Sequence, residues 1–227
     1  SNVYQFKIAM KVAGINYSYN TKATVTEDAF NIYRNTFKQF GLGVKTEIDL
    51  PVESLGYSGS TIAPDLLLNY AIGQYDTYTP IQLSQYITTL ASNGKRLKPR
   101  FLKEVYDDND NLILKVEPTV LNVVDTKKEY LNRVKEGFAA VMDVGLGRNV
   151  MGNSPSPAGK TGTSESFLDT NNDGKIDTET VSNAFVGYAP RDNPRMTITV
   201  TSPDVEDPNT NINYHSYVNR RIAREIS

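Results

Sequence analysis

The sequence predicts an α+β fold in which helices are kept apart from an antiparallel sheet. Three observations carry this. In the first part of the chain, apolar residues recur at helical spacing: Val3, Phe6, Met10 and Ala13; Phe30, Tyr33 and Phe37; Leu83, Ile87 and Leu90. The C-terminal part instead holds three extended runs, around 158–165, ending at 188–190, and at 196–201, joined by turns and not by helical crossovers. A last helical stretch, roughly Asn213 to Ser227, follows with Tyr217, Ile222 and Ile226 on its inward side. Strands that follow one another through turns form a meander, and helices grouped around such a sheet define α+β.

Each element has a local reason. Gly14 stops the first helix, and Thr26 is a good N-cap for the second, which Gly41 closes. The stretch from Phe40 to Tyr57 reads as a glycine-rich loop with a short extended piece ending at Pro51. Asp65 to Gln74 is a short apolar helix. Thr79-Pro80-Ile81-Gln82 opens the next helix with a threonine cap, proline at the first helical position and the glutamine of a capping box, and Gly94 ends it. From Arg96 the period becomes that of strands, with a hairpin from Phe101–Tyr106 through Asp107–Asp110 to Leu112–Val116. Asp125 to Glu129 caps a long helix carrying Leu131, Val134, Phe138 and Val141. A loop from Gly145 to Pro157 leads into the three strands.

Composition narrows the function. A formal net charge of −2 with no basic cluster argues against a nucleic-acid partner. No run of about 18 apolar residues is present, so nothing in the sequence reads as a membrane span, and no signal peptide is seen. Cysteine is absent, which excludes thiol nucleophiles and thiolate metal sites and suits an exported protein. The one histidine is His215, so acid–base chemistry would fall to lysine or carboxylates.

The stretch with the most chemistry is Ala158-Gly159-Lys160-Thr161-Gly162-Thr163-Ser164-Glu165. Strand alternation sets Lys160, Gly162 and Ser164 on one face and Thr161, Thr163 and Glu165 on the other. Gly162 lets a ligand backbone lie close, while Lys160 and the hydroxyls can meet a carboxylate. Lys160 also reads as a solvated lysine that guards an edge strand against aggregation.

Together, several stretches resemble the transpeptidase domain of class B penicillin-binding proteins of Gram-positive type. Lys160-Thr161-Gly162 is similar to the family's Lys-Thr-Gly motif, with Ala184 to Pro190 after it. Ser1-Asn2 resembles the end of the Ser-x-Asn motif. Gly73-Gln74, Thr79-Pro80-Ile81-Gln82-Leu83 and Ala91-Ser92-Asn93-Gly94 follow the family pattern, and Phe40 to Pro51 adds a further match. The resemblance runs the full length and implies that residues 1–227 are the C-terminal portion of one transpeptidase domain.

The resemblance implies a transpeptidase-like fold and serine acyl transfer onto peptidoglycan stem peptides ending in D-Ala-D-Ala, with β-lactams as inhibitors. No cofactor is required. Lys160 would bring positive charge to the substrate carboxylate, the hydroxyls of Thr161 and Thr163 would bind it, and the Thr163 N–H would form half of an oxyanion hole. Asn2 would orient the substrate amide, or serve only as a helix N-cap. The departure is the nucleophile: the Ser-x-x-Lys motif is expected before Ser1. Ser92-Asn93-Gly94-Lys95 has that spacing but sits at the end of a helix, and Ser18-Tyr19-Asn20 fits Ser-x-Asn but reads as a polar turn. The piece alone is therefore expected to be inactive. The whole protein would carry an N-terminal membrane anchor, work outside the cytoplasmic membrane and associate with the cell-wall synthesis machinery. A β-lactam sensor or noncatalytic scaffold on the same fold is the alternative. A hydrolase would need a base for water, for which only Glu165 presents itself.

A separate feature is the turn Asp169 to Asp177. Asp169, Asn171, Asp173 and Asp177 stand at positions 1, 3, 5 and 9 with Gly174 at 6, as in a calcium loop, but position 12 is Thr180 and not glutamate. It reads either as a solvated turn between strands or as a Ca2+ site.

Overall fold

The computed structural model describes residues 2–18, 20, 22–148, 150–152, 156–205 and 218–226. It is an α+β arrangement of helices α1 (Asn2–Val12), α2 (Glu27–Gln39), α3 (Pro64–Ala71), α4 (Pro80–Ala91), α5 (Lys128–Asp143) and α6 (Val218–Ile226) with strands β1 (Lys95–Leu97), β2 (Glu104–Tyr106), β3 (Leu112–Lys115), β4 (Val120–Val123), β5 (Ala158–Leu168), β6 (Thr178–Ala189) and β7 (Met196–Val205). The main sheet runs β5-β6-β7, all antiparallel, as a meander must. Two small ribbons, β1-β4 and β2-β3, stand apart from it.

The sheet is covered on both faces. Ala158, Val186 and Tyr188 on one face pack with Ile87 and Leu90 of α4 and with Leu131 and Phe138 of α5. On the other, Phe185, Ile198 and Val200 pack with Met151, with Met142 of α5 and with Ala223 of α6. Period-2 alternation along β6 sends successive side chains to these two cores. A third core lies among α1, α2 and α3, around Ala9, Phe30, Leu67 and Tyr70.

The Thr79 capping box forms as expected, with Gln82 and Thr79 bonding each other reciprocally. Gln82 and Gln85 are fully or almost fully buried because they also tie down the 41–57 loop. Gln82 Nε2 donates to the carbonyls of Val44 and Leu55, and Gln85 Nε2 to those of Thr46 and Leu97. Arg96 completes the tie, donating to Gln85 Oε1 at 2.9 Å and to Lys45 O. A loop without ladder bonds thus gains fixed partners for its backbone. Nearby, Arg34 and Asp76 form a nearly buried two-point ion pair, and Asp76 also accepts from Gly59 N at 2.9 Å.

Several expectations change. Val3 and Val134 are exposed, and Ala9 takes the buried position on α1. Within the capping stretch 125–129 the N-cap of α5 is Lys127, which makes no side-chain cap bond. The sequence reading missed β1 and β4, which pair with each other across a distance in sequence. In α6 the inward residues are Asn219 and Ala223; Ile222 and Ile226 are exposed, and Tyr217 lies outside the described residues. The rotation of α6 is set by Asn219, whose Nδ2 donates to Val200 O and whose Oδ1 accepts from Ser202.

Candidate active site

Strand β5 pairs with β6 along all eleven of its residues, and among the described residues nothing pairs with its other side. Its outward groups can be deduced. Val186 O stands 2.9 Å from where a Cβ on Gly159 would lie, and Ala158 O stands 3.2 Å from the same point on Gly187, so these carbonyls point into the β5–β6 seam. Backbone direction alternates along an antiparallel strand, so Thr161 and Thr163 direct their N–H and C=O groups to the open edge. Consistently, Thr161 O accepts from Lys160 Nζ at 2.5 Å.

Lys160 keeps contact with solvent, but surrounding protein partly desolvates its ammonium, which lowers its pKa. Among the described residues no carboxylate pairs with it. The Thr161 hydroxyl makes no hydrogen bond to any described residue, while Thr163 Oγ1 donates to Asn183 Oδ1 at 3.0 Å. Gly162 is open: a Cβ there would meet only Ala184, at 3.8 Å. The edge thus offers a cation, a free hydroxyl, two outward amides and a glycine, a set suited to an extended ligand with a carboxylate.

The strand is held from behind. Gly159 faces Gly187 in register, and both are crowded; a Cβ on Gly159 would lie 2.9 Å from Phe185 Cζ. Just before β5, Ser156 O accepts from the backbone N of Arg191 at 2.8 Å and from its Nε at 3.3 Å. The Arg191 guanidinium spans to Asp143 at the end of α5 through two bonds of 2.6 and 2.7 Å, which holds the Asp143 carboxyl below its usual range. Sequence reasoning missed Asn183, Arg191 and Asp143. Only Asn183 left a trace, as a polar residue in line with Val181 and Phe185.

The other candidates sit elsewhere. Asn2 opens α1, which packs on α2 and α3, and no hydrogen bond joins it to Lys160 among the described residues. Ser1, Tyr19 and His215 lie outside the described residues. Ser92 is the C-cap of α4 and Lys95 begins β1, as a structural turn requires. In the acidic turn, Asp169 accepts from the backbone of Asp173 and Gly174, Asp177 from Thr170, and Asp173 from Lys175 N. Those contacts build the turn from its own backbone, and among the described residues no group of three or more acidic or histidine side chains is arranged to hold a metal ion.

The comparisons with known proteins bear on the whole of this arrangement. Residues 1–227 match the family described as the penicillin binding protein transpeptidase domain. The chain belongs to this family. Penicillin-binding protein 2A of Bacillus subtilis is 42% identical over 234 residues, covering 100% of this chain and 32% of that protein. The structure of penicillin-binding protein 2B from Streptococcus pneumoniae strain R6 superposes with a TM-score of 0.84 at 34% identity, covering 100% of this chain and 36% of that one. Penicillin binding protein 3 of Mycobacterium tuberculosis, complexed with ampicillin, gives a TM-score of 0.60 at 26% identity over 75% of this chain and 39% of that one. The chain thus spans about a third of the length of the curated relatives it matches. The α+β transpeptidase fold is shared with them, and no helix among the described residues is long and apolar enough to cross a membrane.

Proposed function

We propose that the chain supplies the substrate-binding strand of a penicillin-binding D,D-transpeptidase that cross-links peptidoglycan stem peptides. The observation that carries this is the open edge of β5, where Lys160, Thr161 and Thr163 present charge, hydroxyl and outward amides on a strand with no second partner among the described residues.

In this reading a serine of a Ser-x-x-Lys motif outside the chain attacks the carbonyl of the penultimate D-alanine. The C–N bond breaks and terminal D-alanine leaves with a proton; the acyl-serine ester then passes to an amine on another stem, freeing the serine. Lys160 and Thr161 hold the terminal carboxylate. The outward N–H of Thr163 and the N–H of the serine receive the developing oxyanion, an arrangement in which one lost donor typically costs about 2.7–4 kcal/mol. Asn2 orients the substrate amide. β-Lactams enter as mimics of the same acyl donor, in keeping with the ampicillin complex of the mycobacterial relative. The whole protein is proposed to act outside the cytoplasmic membrane, anchored by a segment other than these residues, alongside other cell-wall enzymes. No metal has a part in the proposed reaction.

Labelling with a fluorescent penicillin, read on a denaturing gel, tests this. A protein of the relatives' full length that carries these residues should be labelled, Lys160→Ala should slow the labelling, and the 227-residue chain should stay unlabelled. Covalent label on the chain by itself would refute the assignment of the nucleophile and turn attention to Ser92 and Lys95.

A further inference from the structure

Away from the sheet, a cleft of about 280 Å³ lies between α2 and the chain at 42–43, 58 and 76–78. Small-ligand sites begin near this size. Asn31, Arg34 and Lys38 line it from α2, where spacings of three and four residues set them on one face. Arg34 is fixed in place. Its Nε and Nη2 donate to the two oxygens of Asp76 at 2.9 and 2.8 Å, and Nη2 also donates to Gly59 O at 2.7 Å. Its side chain is 15% exposed, and the guanidinium carbon stands 5.7 Å from the centre of the Tyr70 ring. Asp76 is the one carboxylate among the described residues of the lining, and both of its oxygens are engaged by Arg34 and Gly59 N. The groups left over are chiefly donors: Arg34 Nη1, Lys38 Nζ, Asn31 Nδ2 and Ser58 Oγ have no partner among the described residues. Burial pushes the Tyr78 hydroxyl up to about 12, so it adds no negative charge at neutral pH. Arg34 and Lys38 against Asp76 leave a surplus of positive charge. Beside them, Phe37 and Tyr70 meet edge to face at 5.6 Å and form a flat apolar wall.

We propose that this cleft is a further, noncatalytic binding site for a small phosphorylated ligand, with the phosphate on Arg34, Lys38 and Asn31 and the carbon part against Phe37 and Tyr70. A phosphate ester carries roughly two negative charges and only strong acceptors around them, which matches a lining of free donors with positive charge in surplus. An arginine held on one side by a carboxylate presents its remaining edge in a fixed direction, so little ordering is needed when the ligand arrives. A bare phosphate would fill only part of the volume, and a ring on the phosphate would meet the aromatic wall. The site is independent of the reading of β5: it is carried by α2 and its neighbours and makes no use of Lys160.

The test is calorimetric titration of a full-length protein that carries these residues with phenyl phosphate, inorganic phosphate and benzoate at matched ionic strength. Melting temperature and the rate of acylation by fluorescent penicillin are read beside it. Phenyl phosphate should bind saturably in the millimolar range or tighter, roughly three- to tenfold tighter than inorganic phosphate through the ring contact. Benzoate, with less charge and fewer acceptors, should bind more weakly than phenyl phosphate. Lys38→Glu reverses the charge of an exposed residue and should weaken phenyl phosphate binding at least roughly tenfold. Asn31→Leu should weaken it roughly three- to tenfold, and Lys38→Met, which keeps the stem without the charge, by a similar factor. Melting and acylation should stay at wild-type values in all three, because α2 packs mainly on α1 and α3. Arg34 is left intact, since its pair with Asp76 holds the fold. If K38E fails to fold, K38M and N31L decide. No saturable heat with phenyl phosphate, or wild-type affinity in K38M and N31L, overturns the site. Inorganic phosphate binding as tightly as phenyl phosphate overturns the role of the aromatic wall, and benzoate binding as tightly overturns the phosphate assignment. Acylation slowed in K38M and N31L at unchanged melting temperature overturns the separation of this cleft from catalysis.

Discussion

Replacing Gly159 by alanine should damage the site from behind, without touching any group that meets substrate. The added Cβ would lie 2.9 Å from Val186 O, 2.9 Å from Phe185 Cζ and 3.1 Å from Phe185 Cε2. Relief to an ordinary contact needs about half an ångström. Phe185 is completely buried and Val186 O belongs to the neighbouring strand, so neither can retreat cheaply. Overpacking of this kind costs about 1–3 kcal/mol. The strand that must yield carries Lys160 on the next residue, and a displacement of that size should slow acylation roughly 3- to 30-fold. Gly162→Ala is the contrast. Its Cβ would meet only Ala184, at 3.8 Å, so stability should stay within about 0.5 kcal/mol while a methyl intrudes where the ligand lies. Chemical denaturation and penicillin acylation of both variants in the full-length enzyme measure the two effects separately. If G159A unfolds at the wild-type midpoint and acylates at the wild-type rate, the crowding argument is wrong.

Three further outcomes follow from the same geometry. Asp76→Ala strands the buried Arg34 guanidinium and the Gly59 amide, and should cost about 3–5 kcal/mol in equilibrium unfolding, whereas R34M/D76L together should cost much less. Desolvation lowers the Lys160 pKa below 10.5, so the folded strand loses its ammonium before an unfolded chain would. Acylation by a carboxylate-bearing penicillin should therefore fall along an alkaline limb centred below 10.5, and stability should rise with pH over the same interval because the unfolded chain there binds more protons. Lys160→Arg should abolish that limb, and a limb unchanged in this variant would assign it to another group. Arg191→Ala removes the side-chain bond to Ser156 O and both bonds to Asp143 while the backbone bond to Ser156 stays, and should slow acylation roughly three- to tenfold. Since Arg191 lowers the Asp143 pKa from 3.8, the contribution of the clamp should be present above that pH and be lost as pH falls through the lowered value, which a melting series across acid pH would follow.

The loop at residues 41–57 shows how a long irregular segment is kept in place. Residues 41–57 form no strand, yet Thr46 is fully buried and its N–H is bonded to Glu53 Oε1 at 2.6 Å. Asp49 bonds the backbone amides of Phe101 and Leu102, joining the loop to the chain that enters the β2-β3 ribbon. Its carboxyl pKa is lowered chiefly by these amides. These side-chain bonds replace a ladder, so the loop holds α4, and through α4 the sheet, without being part of either.

By itself the sequence determined the kind and order of the long elements, the capped start of α4, the strand that carries Lys160 and the family. These are written in nearest neighbours: apolar spacing sets the helical or extended period, and Thr79, Pro80 and Gln82 start a helix through bonds within one turn. What only the tertiary structure decided are partnerships between distant residues. Asn183 meets Thr163 across 20 positions, Arg34 meets Asp76 across 42, and Arg191 meets Asp143 across 48. The small strands β1 and β4, the rotation of α6 that buries Ala223 and exposes Ile222, and the outward direction of the Thr161 and Thr163 amides belong with them. Each depends on register or on the rotation of one element against another. Local spacing leaves both free, and they are set only when the cores on the two faces of the sheet close together.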